Sequence, residues 1–157
     1  MLAALDEAIG QVQKGFEAKG MWAHTLTIFS TDNGGPVGSL NGHPRGIGCA
    51  TGSQNFPLRG GKGCFFQGGV LGTSFVHGAM LASTAAGSTN MGLMHVVDWV
   101  PTLISAAGGD ASTMSPTGKP LDGVSQWAML TQGQASLSAR TELLINIERD
   151  KPTWHRH

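Results

Sequence analysis

The sequence predicts an α/β protein, and two observations carry the prediction. A segment of helical periodicity near the N-terminus is followed, after a short link, by an apolar stretch of strand character. Helix, short loop and apolar strand in that order are typical of helices packed on a sheet. Turn-forming residues, including two glycines, follow the strand at once. Because ligands in open α/β sheets bind at the carboxyl ends of strands, we expect functional residues at this point.

The first predicted element is a helix that ends at about Lys19. Apolar side chains recur at steps of three and four residues, which places them on one helix face: Leu2, Leu5, Ile9, Val12 and Phe16. Gly10 and Gly15 weaken the helix without shifting this stripe. Gly20 is expected to end it, since glycine favours the left-handed conformation that follows many helices.

The second predicted element is a strand over residues 25–30, followed closely by Asp32, Asn33 and two glycines. A carboxylate and a carboxamide at the end of a buried strand offer oxygen ligands to a hard cation. The alternative is an ordinary turn, because Asn-Gly is a common hairpin signal, but residues 36–40 supply no returning strand. Lys62 stands in a second glycine-rich loop and is predicted to bind an anion beside the cation. Its alternative is a solvated surface lysine.

The rest of the chain predicts a long loop and four shorter elements. No period survives from about residue 34 to 57, where glycine, proline, serine and asparagine dominate. The elements are a strand over 70–76, a helix over 99–107, a short helix near 124–130 and a strand over 141–147. With no internal repeat and no linker, we expect one domain over residues 1–149 and a loose tail over 150–157.

Other polar residues are first assigned structural roles. Arg59 could be an anion ligand, but we expect it to pair with a backbone carbonyl or a carboxylate. His77 is expected to stand at a strand end. His95 and Asp98 could form an acid–base pair, but the sequence favours Asp98 as the cap of the helix over 99–107.

Composition excludes several classes of function. The chain has 157 residues and zero formal net charge, so it lacks the basic footprint of a nucleic-acid or anionic-membrane binder. No apolar run is long enough to span a bilayer, and the acidic N-terminal stretch is not expected to be a signal peptide. Glycine accounts for 24 residues, which predicts loops that approach one another or a ligand closely. Cys49 and Cys64 permit either one disulfide or two separate thiols.

Several motifs occur together, in one order, along most of the chain. They are Leu5-Asp6-Glu7-Ala8-Ile9-Gly10, Gly20-Met21-Trp22, Ile28-Phe29-Ser30-Thr31-Asp32-Asn33-Gly34-Gly35, Asn55-Phe56-Pro57-Leu58-Arg59-Gly60-Gly61-Lys62, Gly68-Gly69-Val70, His95-x-x-Asp98-Trp99-x-Pro101, Pro120-Leu121-Asp122-Gly123 and Arg140-x-Glu142-Leu143-Leu144. In this combination the chain resembles the sulfatases, in particular the arylsulfatase B type.

The resemblance implies the later portion of an alkaline-phosphatase-like α/β core, with a mixed sheet flanked by helices and long glycine-rich loops. It further implies hydrolysis of sulfate esters at a calcium site, with a sulfated small molecule or glycan as substrate. Asp32 and Asn33 correspond to the family's Asp-Asn calcium ligands, and Lys62 corresponds to its sulfate-binding lysine. The family resemblance also suggests a lysosomal or secreted protein, and it predicts no oligomeric state.

The chain departs from the family pattern at the nucleophile. Sulfatases use a formylglycine made from the first residue of Cys-x-Pro-x-Arg, whereas Ala-Thr-Gly follows Cys49 and Phe-Phe-Gln follows Cys64. We therefore expect no catalytic residue in this chain and no turnover by it alone. The alternative is a non-catalytic sulfatase remnant or pseudoenzyme that acts as a binding module. A zinc phosphatase on the same scaffold is disfavoured, because no histidine flanks Asp32 suitably.

Overall fold

The computed structural model describes residues 1–36, 53–114 and 118–146. Its helices and strands follow in the order α1 Leu2–Ala18, β1 Leu26–Ser30, α2 Gln67–Val70, β2 Ser74–Gly78, α3 Trp99–Ala106 and α4 Trp127–Gln132. Single 3₁₀ turns lie at Trp22–His24, Ser83–Ala85, Val96–Asp98, Ala111–Thr113 and Ala135–Leu137. The predicted α/β class is thus represented, within the described residues, by a two-stranded sheet and helices.

The chain divides into two compact units. The first unit comprises Met1–Thr27 and Val76–Leu143, and the second comprises Ile28–Phe75 and Leu144–His157. Our expectation of a single domain over residues 1–149 with a loose tail is not tested by this division, and the tail lies outside the described residues. None of the described helices is long and apolar enough to cross a membrane.

Helix α1 confirms the element predicted from the apolar stripe. Gly20 ends it in the left-handed conformation, with φ of 66°. The Gly20 N–H donates to Glu17 O at 2.9 Å and the Met21 N–H donates to Phe16 O at 2.9 Å. This pair of hydrogen bonds is a Schellman motif, which satisfies carbonyls that the helix itself leaves without donors. No residue of α1 is fully buried, and Leu2 and Val12 remain 83% and 59% exposed.

Strands β1 and β2 form the sheet. In the second unit the Thr31 N–H donates to Thr73 O at 3.0 Å, and the Phe29 ring stacks on Phe75 at a centroid distance of 5.4 Å. Because the partner number falls from 75 to 73 as β1 advances from 29 to 31, the strands run antiparallel. In the first unit Gly78 lies against the backbone of Leu26, which continues the same register.

The buried interior of the first unit lies around α3 and α4 and is mostly polar. Among the described residues, Met129 is the one large apolar side chain that is buried, with 2% of its surface exposed. Asp98, Thr102 and Gln126 are buried beside polar partners. The Thr102 hydroxyl donates to Asp98 O at 2.6 Å and accepts the Gln126 N–H at 2.9 Å. Side-chain to backbone hydrogen bonds therefore connect α3 to the segment that enters α4.

The strand predicted over residues 70–76 is wrong in its first half. Residues 67–70 form α2 instead, with the Val70 N–H donating to Phe66 O at 3.2 Å, and β2 begins at Ser74. A Cβ on Gly68 would lie 2.6 Å from Arg59 O, so the tight backbone packing here requires glycine. Packing of these glycines therefore outweighs the apolar run in deciding the local conformation.

The strand predicted over residues 141–147 is also wrong for its described part. Residues 141–146 belong to neither a helix nor a strand, and residue 147 lies outside the described residues. A strand needs a neighbour to satisfy its backbone groups, and no described strand pairs with this segment. The two predicted helices fare better: α3 matches the helix over 99–107, and α4 lies a few residues beyond the predicted start at 124.

Candidate functional site

Two loops of the second unit carry the predicted site residues. The Asp32 loop (residues 31–36) leaves the end of β1, and the Lys62 loop (residues 55–64) precedes α2. The Lys62 N–H donates to Gly35 O at 3.1 Å, which joins the two loops backbone to backbone. Asn33 lies two residues before Gly35, so its Cα is within roughly 7 Å of Gly35 along the chain. The structure therefore brings the main chain of Lys62 next to the loop that carries Asp32 and Asn33.

The side chain of Asn55 makes a second connection between these loops. Its Oδ1 accepts the Gly35 N–H at 3.0 Å, and its Nδ2 donates to Gly35 O at 2.8 Å and to Gly60 O at 3.1 Å. One carboxamide thus binds both sides of the Gly35 residue and one carbonyl of the Lys62 loop.

Glycine is required where α2 meets the two loops. The Gly34 N–H donates to Gly69 O at 2.9 Å, and the Gly68 N–H donates to Arg59 O at 2.8 Å. A Cβ on Gly34 would lie 2.7 Å from the carbonyl carbon of Gly68. A Cβ on Gly69 would lie 2.5 Å from Gly61 O. Both distances are shorter than side chains tolerate, so the three backbones pack directly on one another.

Asp32 and Asn33 present oxygen atoms that the rest of the described chain does not use. Asp32 is exposed, and no described residue hydrogen-bonds its carboxylate. Asn33 is half-buried, and its Nδ2 donates to Gly34 O at 2.7 Å. Because the amide nitrogen is occupied in this way, Oδ1 is left as the acceptor of the side chain.

The donor set fits calcium in kind but is incomplete in number. Carboxylate and carboxamide oxygens are ligands that Ca²⁺ prefers, and it takes about six to eight of them. Asp32 and Asn33 together offer three side-chain oxygens. Among the described residues there is no group of three or more His, Cys, Asp or Glu side chains that could hold a metal ion. A cation bound here would therefore take further ligands from elsewhere.

The side chain of Lys62 is exposed, and no described residue forms an ion pair with it. Arg59, in the same loop, stacks its guanidinium 4.0 Å from the centre of the Phe66 ring. Our expectation that Arg59 pairs with a carbonyl or carboxylate is wrong within the described residues, because its guanidinium contacts the face of an aromatic ring instead. Cys64 is half-buried, and Cys49 lies outside the described residues, so the disulfide alternative stays open.

Asp98 of the first unit is a structural acid. Its carboxylate binds the Arg140 side chain through Nε at 2.8 Å and NH2 at 2.6 Å, and it accepts the N–H groups of His95 at 2.8 Å and Val124 at 2.9 Å. Burial by itself would raise the pKa of Asp98, but the Arg140 hydrogen bond and the two backbone N–H groups lower the pKa to about 2. The ion pair also raises the pKa of Arg140.

Asp98 occupies the N-cap position of α3, as predicted, but its carboxylate makes no hydrogen bond to the first turn of that helix. It completes instead a capping box with His95 around the 3₁₀ turn Val96–Asp98. The His95 ring accepts the Val97 N–H at 3.5 Å and does not pair with Asp98. His77 lies in β2 and stacks on Trp22 at a centroid distance of 5.2 Å, consistent with its expected structural role.

Sequence reasoning missed two residues that organise these regions. Asn55 and Arg140 were noticed only as members of motifs, and the groups they bind lie 20 and 42 residues away. The position of Asn55 directly before Phe-Pro-Leu-Arg marks it as part of a motif, but nothing in the sequence indicates which groups it binds.

Comparison with known proteins gives one consistent result. A family model described as Sulfatase matches residues 1–109. Arylsulfatase J of Mus musculus is 34% identical over 148 residues, which cover 94% of this chain and 21% of that protein. A protein named Sulfatase from Formosa agariphila is 28% identical over 160 residues, covering 96% of this chain and 24% of its own length. Arylsulfatase D of Homo sapiens is 29% identical over 138 residues, covering 86% of this chain and 21% of its own length.

These matches extend over nearly the whole chain, whereas the chain spans only about a fifth to a quarter of each relative. They include both the Asp32 loop and the Lys62 loop, since both lie within the residues that the family model matches.

Proposed function

Because the chain belongs to the sulfatase family, we propose that residues 1–149 form part of a catalytic domain that hydrolyses sulfuric esters. The observation that carries the proposal is the hydrogen bond from the Lys62 N–H to Gly35 O. It supports a single site in which the Asp32 loop binds a cation and Lys62 binds the sulfate beside it. The proposed substrate is a sulfated small molecule or glycan, and the proposed location is lysosomal or secreted. Both follow from the resemblance to the family.

Asp32 and Asn33 would hold calcium through their side-chain oxygens. Calcium, when bound, supplies positive charge that neutralises the oxygens of the sulfate group. The hydrogen bond from Asn33 Nδ2 to Gly34 O orients its carboxamide, so that Oδ1 is presented as a ligand. The exposed carboxylate of Asp32 needs no rearrangement of a protein partner before it binds a cation.

Lys62 would bind the sulfate oxygens and oppose the charge that builds on the leaving ester oxygen. Its backbone is fixed by Gly35, while its ammonium group has no carboxylate among the described residues to neutralise it. The positive charge is therefore available to an anion.

Calcium binding tests the first half of the site. We expect calorimetric titration to detect calcium binding to the full 157-residue chain and Asp32→Asn to weaken it about tenfold or more, because a ligating charge is removed. Asp6→Asn, which changes an exposed acid of α1, is the matched control and should leave binding unchanged. Equal calcium affinity in the wild type and Asp32→Asn would remove Asp32 from the site.

Sulfate binding tests the second half. In the presence of calcium, Lys62→Met should lower the affinity for an aryl sulfate about tenfold, whereas Lys14→Met on α1 should not. Titration followed by nuclear magnetic resonance measures both variants. An unchanged affinity in Lys62→Met would place the anion elsewhere.

A second function remains in view, that of a non-catalytic remnant acting as a binding module. The observation in its favour is that neither Cys49 nor Cys64 begins a Cys-x-Pro-x-Arg sequence. We expect the chain alone, with calcium and an aryl sulfate, to show no turnover. Appreciable hydrolysis would mean that this chain contains a nucleophile we have not identified. Genomic sequence upstream of Met1 separates the two functions, because an in-frame Cys-x-Pro-x-Arg together with an Asp-Asp pair favours the enzyme.

A further inference from the structure

We propose that Asn55 is a positioning residue, which couples cation binding at the Asp32 loop to anion binding at Lys62. The inference rests on the proposed function and assigns a role to a side chain that would touch neither ligand. It is carried by the three hydrogen bonds of the Asn55 carboxamide, all of them inside the second unit.

The carboxamide is used almost completely by the two loops. Both N–H groups of Nδ2 are donated, one to Gly35 O and one to Gly60 O, and Oδ1 accepts the Gly35 N–H. The backbone of Asn55 contributes as well, because its carbonyl accepts the Leu58 N–H at 2.7 Å and closes the turn of the Lys62 loop. The side chain is half-buried, which limits its exchange of these partners for water.

Only a carboxamide of this length satisfies the arrangement. Aspartate would keep the acceptor for the Gly35 N–H but would place its second oxygen against the carbonyls of Gly35 and Gly60. Alanine would leave the Gly35 N–H and the Gly60 carbonyl without their side-chain partner, at the cost of unsatisfied half-buried polar groups.

Gly35 is the residue through which calcium binding and sulfate binding would be coupled. Its carbonyl oxygen accepts from both Asn55 Nδ2 and the Lys62 N–H, and it lies three residues from Asp32. A cation that orders the Asp32 loop would therefore order the Lys62 backbone as well. In thermodynamic terms calcium should raise the sulfate affinity, and sulfate should raise the calcium affinity by the same factor.

Amide hydrogen exchange on the ligand-free chain tests the structural half of this inference. In Asn55→Ala we expect the Gly35 and Lys62 amides to exchange about tenfold faster, because the shared carbonyl loses its anchor. The Lys62 amide is the decisive one, since its own acceptor is not mutated. Asn90→Ala is the matched control: Asn90 is a half-buried asparagine of the first unit whose Oδ1 accepts the Gly92 N–H at 2.8 Å. It should speed exchange at Gly92 and leave Gly35 and Lys62 unchanged.

Coupled titrations test the functional half. In the wild type, saturating sulfate should tighten calcium binding about tenfold, and in Asn55→Ala this factor should fall severalfold, to the part that comes from direct attraction between calcium and sulfate. Calcium should still bind Asn55→Ala, because Asp32 and Asn33 are intact, and Asn90→Ala should keep the wild-type factor. A structural defect alone would weaken the binding of both ligands and would not lower the coupling selectively.

The outcomes separate the inference from the proposed function. If the wild type binds neither calcium nor sulfate, both are overturned. If the wild type binds both ligands without coupling, or if Asn55→Ala preserves either the full coupling or the slow exchange of the Lys62 amide, only the role of Asn55 is overturned. Should Asn55→Ala fail to fold, Asn55→Asp retains the side-chain volume and gives the same exchange measurement at Lys62, with slow exchange there again overturning the inference.

Discussion

Two aspartates, one in each unit, show opposite uses of a carboxylate. Asp98 in the first unit is 0% exposed and is bound by Arg140 and by two backbone N–H groups. Asp32 in the second unit is exposed, and no described residue binds it. Both belong to motifs that resemble one family. A carboxylate whose acceptor positions are all bound by the protein thus stabilises the fold, whereas one without protein partners can bind a ligand.

The surroundings differ in the same way. The first unit packs through side chains and polar networks around α3 and α4, whereas the loops of the second unit pack through glycine backbones. Substitutions should therefore act differently in the two units.

Removing Arg140 should produce the largest effect. Arg140→Met leaves the buried charge of Asp98 without its partner, and loss of one member of such a pair typically costs about 3–5 kcal/mol. Urea unfolding followed by tryptophan fluorescence reports mainly on the first unit, which contains three of the four tryptophans, Trp22, Trp99 and Trp127. Arg59→Met, which removes only an exposed contact with Phe66 in the second unit, should change this transition by about 1 kcal/mol or less. Equal costs would show that the ion pair is not the central contact of the first unit.

Adding one methyl group to the second unit should come next. Gly68→Ala places a Cβ 2.6 Å from Arg59 O, and overpacking against backbone atoms costs about 3 kcal/mol. Faster amide exchange at Gly35 and Lys62 would report the disturbed loops. Unchanged exchange at these amides would contradict the direct packing of α2 on the two loops.

Acid should destabilise the first unit through Asp98. Its pKa is lowered from 3.8 to about 2 in the folded chain, so its contribution is complete above pH 4 and is lost as the pH falls from about 4 to 2. That difference corresponds to roughly 2 kcal/mol in the free energy of unfolding. Urea midpoints at pH 7 and pH 2 measure it. Asp98→Asn should lack this part of the acid sensitivity, whereas Asp110→Asn, at an exposed 3₁₀ turn, should retain it.

The smallest effect should be stabilising. Gly15 lies inside α1, and apart from its chain neighbours and the backbone of its own helix no described atom lies within 4 Å of where a Cβ would stand. Gly15→Ala should raise the stability of α1 by about 0.5–1 kcal/mol, because alanine loses less backbone entropy in a helix. The increase in thermal midpoint measures it, and a decrease would indicate that something unrecognised packs against this position.

Local patterns predicted the parts of the fold that depend on neighbouring residues. The stripe of α1 and the stop at Gly20 were read correctly, because helix periodicity and the Schellman motif are both local. The strand predicted over residues 70–76 was half wrong, because the close approach of Gly68 to Arg59 favours a helical turn. The N-cap position of Asp98 was predicted, but the binding of its carboxylate was not, because Arg140, its main partner, is 42 residues away.

For the candidate site too, local patterns predicted which residues matter but not which contacts they make. The order of an apolar strand, a carboxylate and glycines in residues 25–35 predicts a loop that binds a ligand. The family resemblance predicts that Lys62 binds an anion. That the Lys62 backbone meets Gly35, and that Asn55 binds both loops, depend on long-range hydrogen bonds that no sequence spacing specifies.

The apolar stripe of α1 has a practical consequence for these measurements. Leu2 and Val12 expose most of their surface to solvent, and sulfate is a salting-out ion that strengthens contacts between such surfaces. Raising the sulfate concentration would thus drive chains to aggregate through α1 while it fills the anion site. Light scattering recorded during each titration would separate aggregation from sulfate binding. The Leu2→Ser variant, which exposes less apolar surface, would serve as a background that aggregates less.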